Sequence, residues 1–120
     1  MCTILLIDDE EVIVKMLKMA LEMYGHRVET ASDGCEGVRK FSEGDFDVVI
    51  TDMVMPGLDG KGVVRYIRES KRNQTPIIGV SGTPWLMENA GFDSVLPKPF
   101  SIKSLIESLH NLAMIPAEAV

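Results

Sequence analysis

Two apolar runs that end in acid constrain this fold more than any other feature of the chain. Residues 48–50 read Val-Val-Ile and lead through Thr51 into Asp52, after which Met55-Pro56-Gly57 breaks the chain. Residues 4–7 read Ile-Leu-Leu-Ile and end in Asp8 and Asp9. A continuous apolar run closed by turn residues is the pattern of a strand buried on both faces, as in a parallel sheet. Open α/β sheets place their ligand sites at the C-terminal mouths of such strands. Three carboxylates in one crevice repel one another unless a cation or a proton is shared among them.

The rest of the chain alternates strand and helix, the pattern of a parallel sheet covered on both faces. Residues 3–7 form the first strand. Residues 11–24 carry Val12, Met16, Leu17, Ala20 and Met23 at helical spacing, with Gly25 as the stop, and this methionine-rich stripe is expected in the core. A weakly alternating strand follows at 27–31. Asp33-Gly34 then turns into a short helix reaching Ser42, with Val38 and Phe41 inward. After the acid-tipped strand come a helix at 60–70, buried through Val63, Val64 and Ile67, and a strand at 76–80 leading into Ser81-Gly82-Thr83. Residues 84–91 leave room for about two helical turns. A short strand at 93–96 precedes Pro97-Lys98-Pro99-Phe100, and Ser101 caps a last helix bearing Ile102, Leu105, Ile106, Leu109 and Leu112. The expected architecture is a doubly wound, five-stranded parallel sheet in the flavodoxin-like order 2-1-3-4-5, with five helices, the fourth shortened.

At 120 residues this is one domain, expected over 1–115, with 116–120 a loose tail or the start of a linker. A net charge of −6 argues against direct nucleic-acid binding, which needs a basic footprint. Cys2 and Cys35 have neither metal-ligand spacing nor the makings of a disulfide framework. No apolar run approaches the roughly 20 residues of a membrane span, and no basic region precedes the first apolar run as in a signal peptide. The expectation is a soluble cytoplasmic domain without membrane insertion.

The polar residues at the strand ends make a chemical set. Strand one offers Asp8 and Asp9, strand three Asp52, strand four Ser81, and the turn after strand five Lys98. Clustered carboxylates without nearby His or Cys suit a hard cation such as Mg²⁺. A lysine and a hydroxyl opposite them suit a phosphoryl group, and a carboxylate can accept that group as an aspartyl phosphate. Taken singly, each residue has a plainer role. An acid before a helix, as Asp9 is, caps it; a lone lysine is a solvated charge; Ser81 is a turn residue. Asp59-Gly60 reads as structural turn chemistry at a helix start, and His26 and His110 as non-functional. Only the joint placement favours chemistry.

Four motifs in order carry a family resemblance: IDDEE at 7–11, ITDMVMPGLDG at 50–60, VSGT at 80–83 and LPKPF at 96–100. On these the chain resembles the receiver domain of two-component response regulators over nearly its whole length. The resemblance implies that Asp52 is the phosphoacceptor and that Asp9 binds Mg²⁺ directly, with Mn²⁺ able to substitute. It implies that Asp8 acts mainly through metal-bound water and that Val54 contributes its backbone carbonyl. Ser81 would hydrogen-bond the phosphoryl group and move toward it, Lys98 would pair with a phosphoryl oxygen, and Lys98-Pro99 would be cis. The implied donor is a sensor histidine kinase or a histidine phosphotransfer protein, and the implied output is a changed surface read by a protein target. Such a domain catalyses only its own phosphorylation and dephosphorylation.

Two departures bear on output. The family usually has Tyr or Phe three residues before the lysine, rotating inward on activation; here Val95 stands there and cannot. Ser81 and Lys98 also lie closer together than is typical, the missing length falling in the fourth helix, so dimerisation through that face is not to be assumed. Trp85 lies in this segment, as packing or as an anchor for a partner. Two alternatives stay open: a degenerate receiver serving as a constitutive interaction module, though no acid or lysine is missing, and a Mg²⁺-dependent phosphohydrolase. The haloacid-dehalogenase-like kind of phosphohydrolase needs a second acid two residues after its nucleophile. Asp52 has Val54 there, whereas Asp8 has Glu10. In the family, the side chains two residues after the acceptor and two after the hydroxyl residue flank the attacking water. Val54 and Thr83 offer neither a strong base nor an amide, so the phosphorylated form should lose its label over longer than minutes. Loss within seconds, followed by radiolabel or mass, would contradict this.

Overall fold

Successive side chains of a strand point to opposite faces, so a run apolar at every position must be covered twice. The structure, a computed structural model describing residues 2–82 and 91–114, meets that demand. Strands β1 (Thr3–Ile7), β2 (Arg27–Ala31), β3 (Val48–Asp52), β4 (Ile77–Ser81) and β5 (Ser94–Pro97) are all parallel, in the order β2-β1-β3-β4-β5. The helices are α1 (Glu11–Met23), α2 (Gly34–Glu43), α3 (Gly60–Arg68) and α4 (Ile102–Leu109), the last running into a π-helical turn at His110–Met114. These are four α-helices among the described residues. The shortened helix expected at 84–91 lies outside them except for Gly91, as do Thr83, Trp85 and the tail at 116–120. Among the described residues no helix is long and apolar enough to cross a membrane.

The core is two half-cores divided by the sheet. Ile4, Leu6, Val48, Ile50 and Ile78 face α1 and α4, meeting Leu17, Leu21, Leu105 and Leu109. Leu5, Ile7, Val49 and Ile77 face the other way, onto Phe41 of α2 and Val63, Val64 and Ile67 of α3. Full burial of each such side chain contributes about 1.5–3 kcal/mol of transfer free energy. Asp33, Asp59 and Ser101 cap α2, α3 and α4, accepting hydrogen bonds from the backbone N–H groups of Glu36, Gly62 and Ser104. Gly25, at φ +89°, follows the end of α1 in the left-handed region that favours glycine. His26 is structural: it is buried, and its Nδ1 accepts the Cys2 backbone N–H at 3.0 Å.

The expectation for α1 needs correction. Leu17 and Leu21 face the sheet with Ile13 and Val14 at the margin, whereas Val12, Met16, Met19 and Met23 are 79, 52, 66 and 82% exposed. The helix carries two apolar stripes, and helical spacing alone does not say which one meets the core. Leucines win because α4 and the sheet close over their side of the helix.

The winding of the sheet makes the crevice. From β1 the chain crosses to β2 on one side and then returns to β3 on the other, so the C-terminal ends of β1 and β3 stand side by side. Sheet-type hydrogen bonds run one residue past the strands. Asp8 N–H donates to Ala31 O (3.1 Å), Met53 N–H to Val80 O (3.2 Å) and Lys98 N–H to Ser81 O (2.8 Å). Behind Asp52, α3 begins at Gly60, where a Cβ would stand 2.7 Å from Asp52 O and 2.8 Å from Met53 Cα. Gly→Ala normally stabilises a helix by up to about 1 kcal/mol. Here the neighbours are backbone and cannot yield, so Gly60→Ala should instead lower the urea-denaturation free energy by about 1–3 kcal/mol. A stabilised variant would show that α3 stands off from β3.

Candidate functional site

Four acids, one ammonium and one hydroxyl meet at the C-terminal edge of the sheet. Asp52 ends β3 with 7% exposure; its Oδ1 accepts the Met53 backbone N–H at 2.9 Å and lies 3.3 Å from Lys98 Nζ. Asp8, one residue past β1, is 4% exposed, and its Oδ1 accepts the Glu10 backbone N–H at 2.9 Å. Ser81 ends β4, buried. Lys98 follows β5, and the Lys98-Pro99 bond after it is cis, as the resemblance implies. Asp9, Glu10, Asp52, Val54, Ser81, Gly82 and Lys98 line a crevice of about 410 Å³. Every residue singled out from the sequence for the site, Asp8, Asp9, Asp52, Val54, Ser81 and Lys98, therefore comes to this edge. Val54 sits on the crevice wall, 73% exposed. Val95, in β5, is half-buried.

Glu10, which the sequence singled out only as the second acid of the phosphohydrolase alternative, is the member of this site that sequence reasoning did not expect. Its carboxylate lies 3.4 Å from Lys98 Nζ and joins those of Asp8 and Asp52 in a group in which one oxygen from each lies within 4.8 Å of the other two. Asp9 is exposed and is not in that group. Nor does Asp9 hold the cap position: the N-cap of α1 is Glu10, and no side chain caps this helix. The available signal was the unbroken acidic run at 8–11, which places a third acid within one residue of the expected pair.

The electrostatics record a shortage of positive charge. Burial pushes the Asp8 carboxyl up to about 6; the Glu10 N–H and Lys98 oppose this, and the Asp52 charge adds to it. Asp52 is likewise raised, chiefly by burial, which outweighs the attraction of Lys98. For Lys98 burial acts downward, yet the combined charges of Asp52, Asp8 and Glu10 hold its pKa above the ordinary value. One ammonium does not neutralise this many acids. An all-oxygen donor set under such repulsion suits a hard divalent ion, and the convergence of Asp8, Glu10 and Asp52 fits Mg²⁺ or Mn²⁺.

Comparison with known proteins shows what the chain as a whole is similar to. A family model described as "Response regulator receiver domain" matches residues 4–110. The transcriptional regulatory protein TrcR of Mycobacterium tuberculosis is 35% identical over 114 residues, covering 91% of this chain and 44% of that protein. The chain spans less than half the length of the curated relatives it matches. Among solved structures, a response regulator receiver domain protein of Clostridium thermocellum is similar at a TM-score of 0.88 and 32% identity, with 100% of both chains covered. The response regulator TrrA of Thermotoga maritima, solved in complex with Mg²⁺-BeF, is similar at 0.85 and 33% identity, covering 93% of this chain and 99% of that one.

The raised Asp8 carboxyl has a measurable sign. Its protonated form is favoured in the fold, so the stabilisation it gives is complete below about 3.8 and lost as pH rises through about 6. At pH 7 without metal, the ionised group costs the fold about 3 kcal/mol at most. Asp8→Asn should therefore raise the melting temperature of the metal-free protein at pH 7, and the gain should shrink as pH falls toward 4. Added Mg²⁺ should stabilise the wild type more than the variant. A gain of equal size at both pH values would contradict the assignment.

Proposed function

Because this chain belongs to the response regulator receiver domain family, we propose that it takes a phosphoryl group onto Asp52 from a phosphohistidine. The donor is a sensor histidine kinase or a histidine phosphotransfer protein. The observation that carries this reading is the Lys98 ammonium 3.3 Å from Asp52 Oδ1, in a crevice whose other charged lining residues, Asp9, Glu10 and Asp52, are all acids. An ammonium held against one buried carboxylate is where a transferred phosphoryl oxygen would find its counter-charge.

In the transfer, a carboxylate oxygen of Asp52 attacks phosphorus. The new O–P bond forms as the P–N bond to the donor imidazole breaks, and the bonding pair leaves on the imidazole nitrogen. The Met53 N–H fixes the rotation of the Asp52 carboxylate before the donor arrives. Lys98 neutralises charge on one phosphoryl oxygen, and the Ser81 hydroxyl, from the end of the neighbouring strand, moves in to hydrogen-bond another. The family resemblance gives Mg²⁺ to Asp8, Asp9, Asp52 and the Val54 carbonyl, so Asp9 would have to turn in from its exposed position to join the converged oxygens of Asp8, Glu10 and Asp52. The ion's charge would offset the acids and polarise the phosphoryl oxygens. The similar protein TrrA was solved in complex with Mg²⁺-BeF, which supports a Mg²⁺ ion in the crevice by similarity.

The domain is a signalling module, catalysing no reaction beyond its own phosphorylation and dephosphorylation, and acting in the cytoplasm on a protein target. With Val95 where the family's rotating aromatic ring stands, the change at Ser81 reaches the surface without an aromatic in/out switch. By the family's pattern the positions of Val54 and Thr83 flank the attacking water, and since neither residue offers a strong base or an amide, the phosphorylated state is long-lived.

The test is intact mass after incubation with Mg²⁺ and acetyl phosphate. The wild type should gain the mass of one phosphoryl group and Asp52→Asn should gain nothing. An unmodified wild type, folded by circular dichroism, would overturn the reading. A labelled Asp52→Asn would move the acceptor elsewhere.

A further inference from the structure

The side chain of Glu10 breaks a local pattern. Good caps are short acceptors such as Asp, Asn, Ser and Thr, and α2, α3 and α4 carry Asp33, Asp59 and Ser101 at that position. Glu10 holds the same position on α1 without a side-chain cap bond. Its side chain reaches across the crevice instead, with Oε1 3.4 Å from Lys98 Nζ. Lys98 thus has two carboxylate partners in the unphosphorylated crevice, Asp52 at 3.3 Å and Glu10 at 3.4 Å. An ammonium is a point charge with three donors and can serve both at once.

We propose that Glu10 is a positioning residue that holds Lys98 in the resting crevice and must let it go when a phosphoryl oxygen arrives. The proposal rests on Asp52 being the phosphoacceptor. The two carboxylates differ in what leaving Lys98 would cost. Asp52 has a side chain 7% exposed and cannot be rehydrated in place, whereas that of Glu10 is 58% exposed and is taken up by water as it swings out. An incoming phosphoryl group carries like charge to Glu10 and competes with it for the same ammonium. Glu10 therefore yields. Its grip on Lys98 acts as a brake on phosphoryl transfer, and Glu10 also lines the groove shared with Ile13, Met16, Phe100 and Ile102, so its release alters that wall.

Three proteins test this: wild type, Glu10→Gln and Glu10→Asp, each with acetyl phosphate at Mg²⁺ concentrations that saturate it. Glutamine keeps the shape without the charge, and aspartate keeps the charge but is one methylene short of Lys98. If the contact is the brake, both variants should be phosphorylated about two- to fivefold faster than wild type, the range expected of a half-exposed ion pair. The Lys98 ¹³Cε resonance should also shift in both variants before any donor is added, which a merely structural role for Glu10 would not produce. Wild-type or slower rates in Glu10→Gln overturn the proposal. So does a fast Glu10→Gln beside an unchanged Glu10→Asp, which would assign the effect to charge at the mouth and not to the contact. A wild type that takes no label overturns this inference and the acceptor reading together, and is recognised because the failure precedes any substitution.

Discussion

The repulsion among carboxylates at one end of the sheet is the interaction on which the rest of this molecule depends. Asp8 and Asp52 lie too deep to be fully hydrated and too near each other to be indifferent. An arrangement of this kind persists only where the backbone beneath it cannot relax. The backbone is held by the extended sheet ladder at Asp8, Met53 and Lys98, and by the glycine that lets α3 start against Asp52. The two half-cores supply the stability that these few residues consume.

That division between frame and site explains why the polar residues stand where they do. β1 and β3 are neighbours in space, with Ile4 opposite Val48 and Ile7 opposite Thr51, so the acids that follow each strand emerge together. Ser81 and Lys98 arrive by the same rule from β4 and β5, joined by the hydrogen bond from Lys98 N–H to Ser81 O. Parallel pairing turns residues far apart in sequence into a single polar edge. Little of the arrangement depends on long side chains finding one another.

This is also why so much was legible beforehand. Strand ends are marked in sequence by a change from apolar to polar, and the parallel order then fixes which ends are adjacent. Asp8, Asp52, Ser81 and Lys98 follow from those two facts. Burial within α1 did not follow, because Val12, Met16, Met19 and Met23 repeat at the same period as Leu17 and Leu21, and only the position of the neighbouring helix decides between the stripes. Glu10 did not follow either. Whether an acid at a helix start turns back to cap it or outward to a lysine 88 residues away is settled by side-chain torsions, which a linear pattern does not encode.

The exposed stripe of α1 has a consequence of its own. Three of its four members, Met16, Met19 and Met23, are thioethers in contact with water, whereas the leucines behind them hold the helix to the sheet. Oxidation to sulfoxide makes such a side chain polar and chiral. On this helix it would change the wetting of a whole face and leave the hydrocarbon packing intact. Oxidation there would alter the solvation of this face without touching the leucines that hold the helix to the sheet.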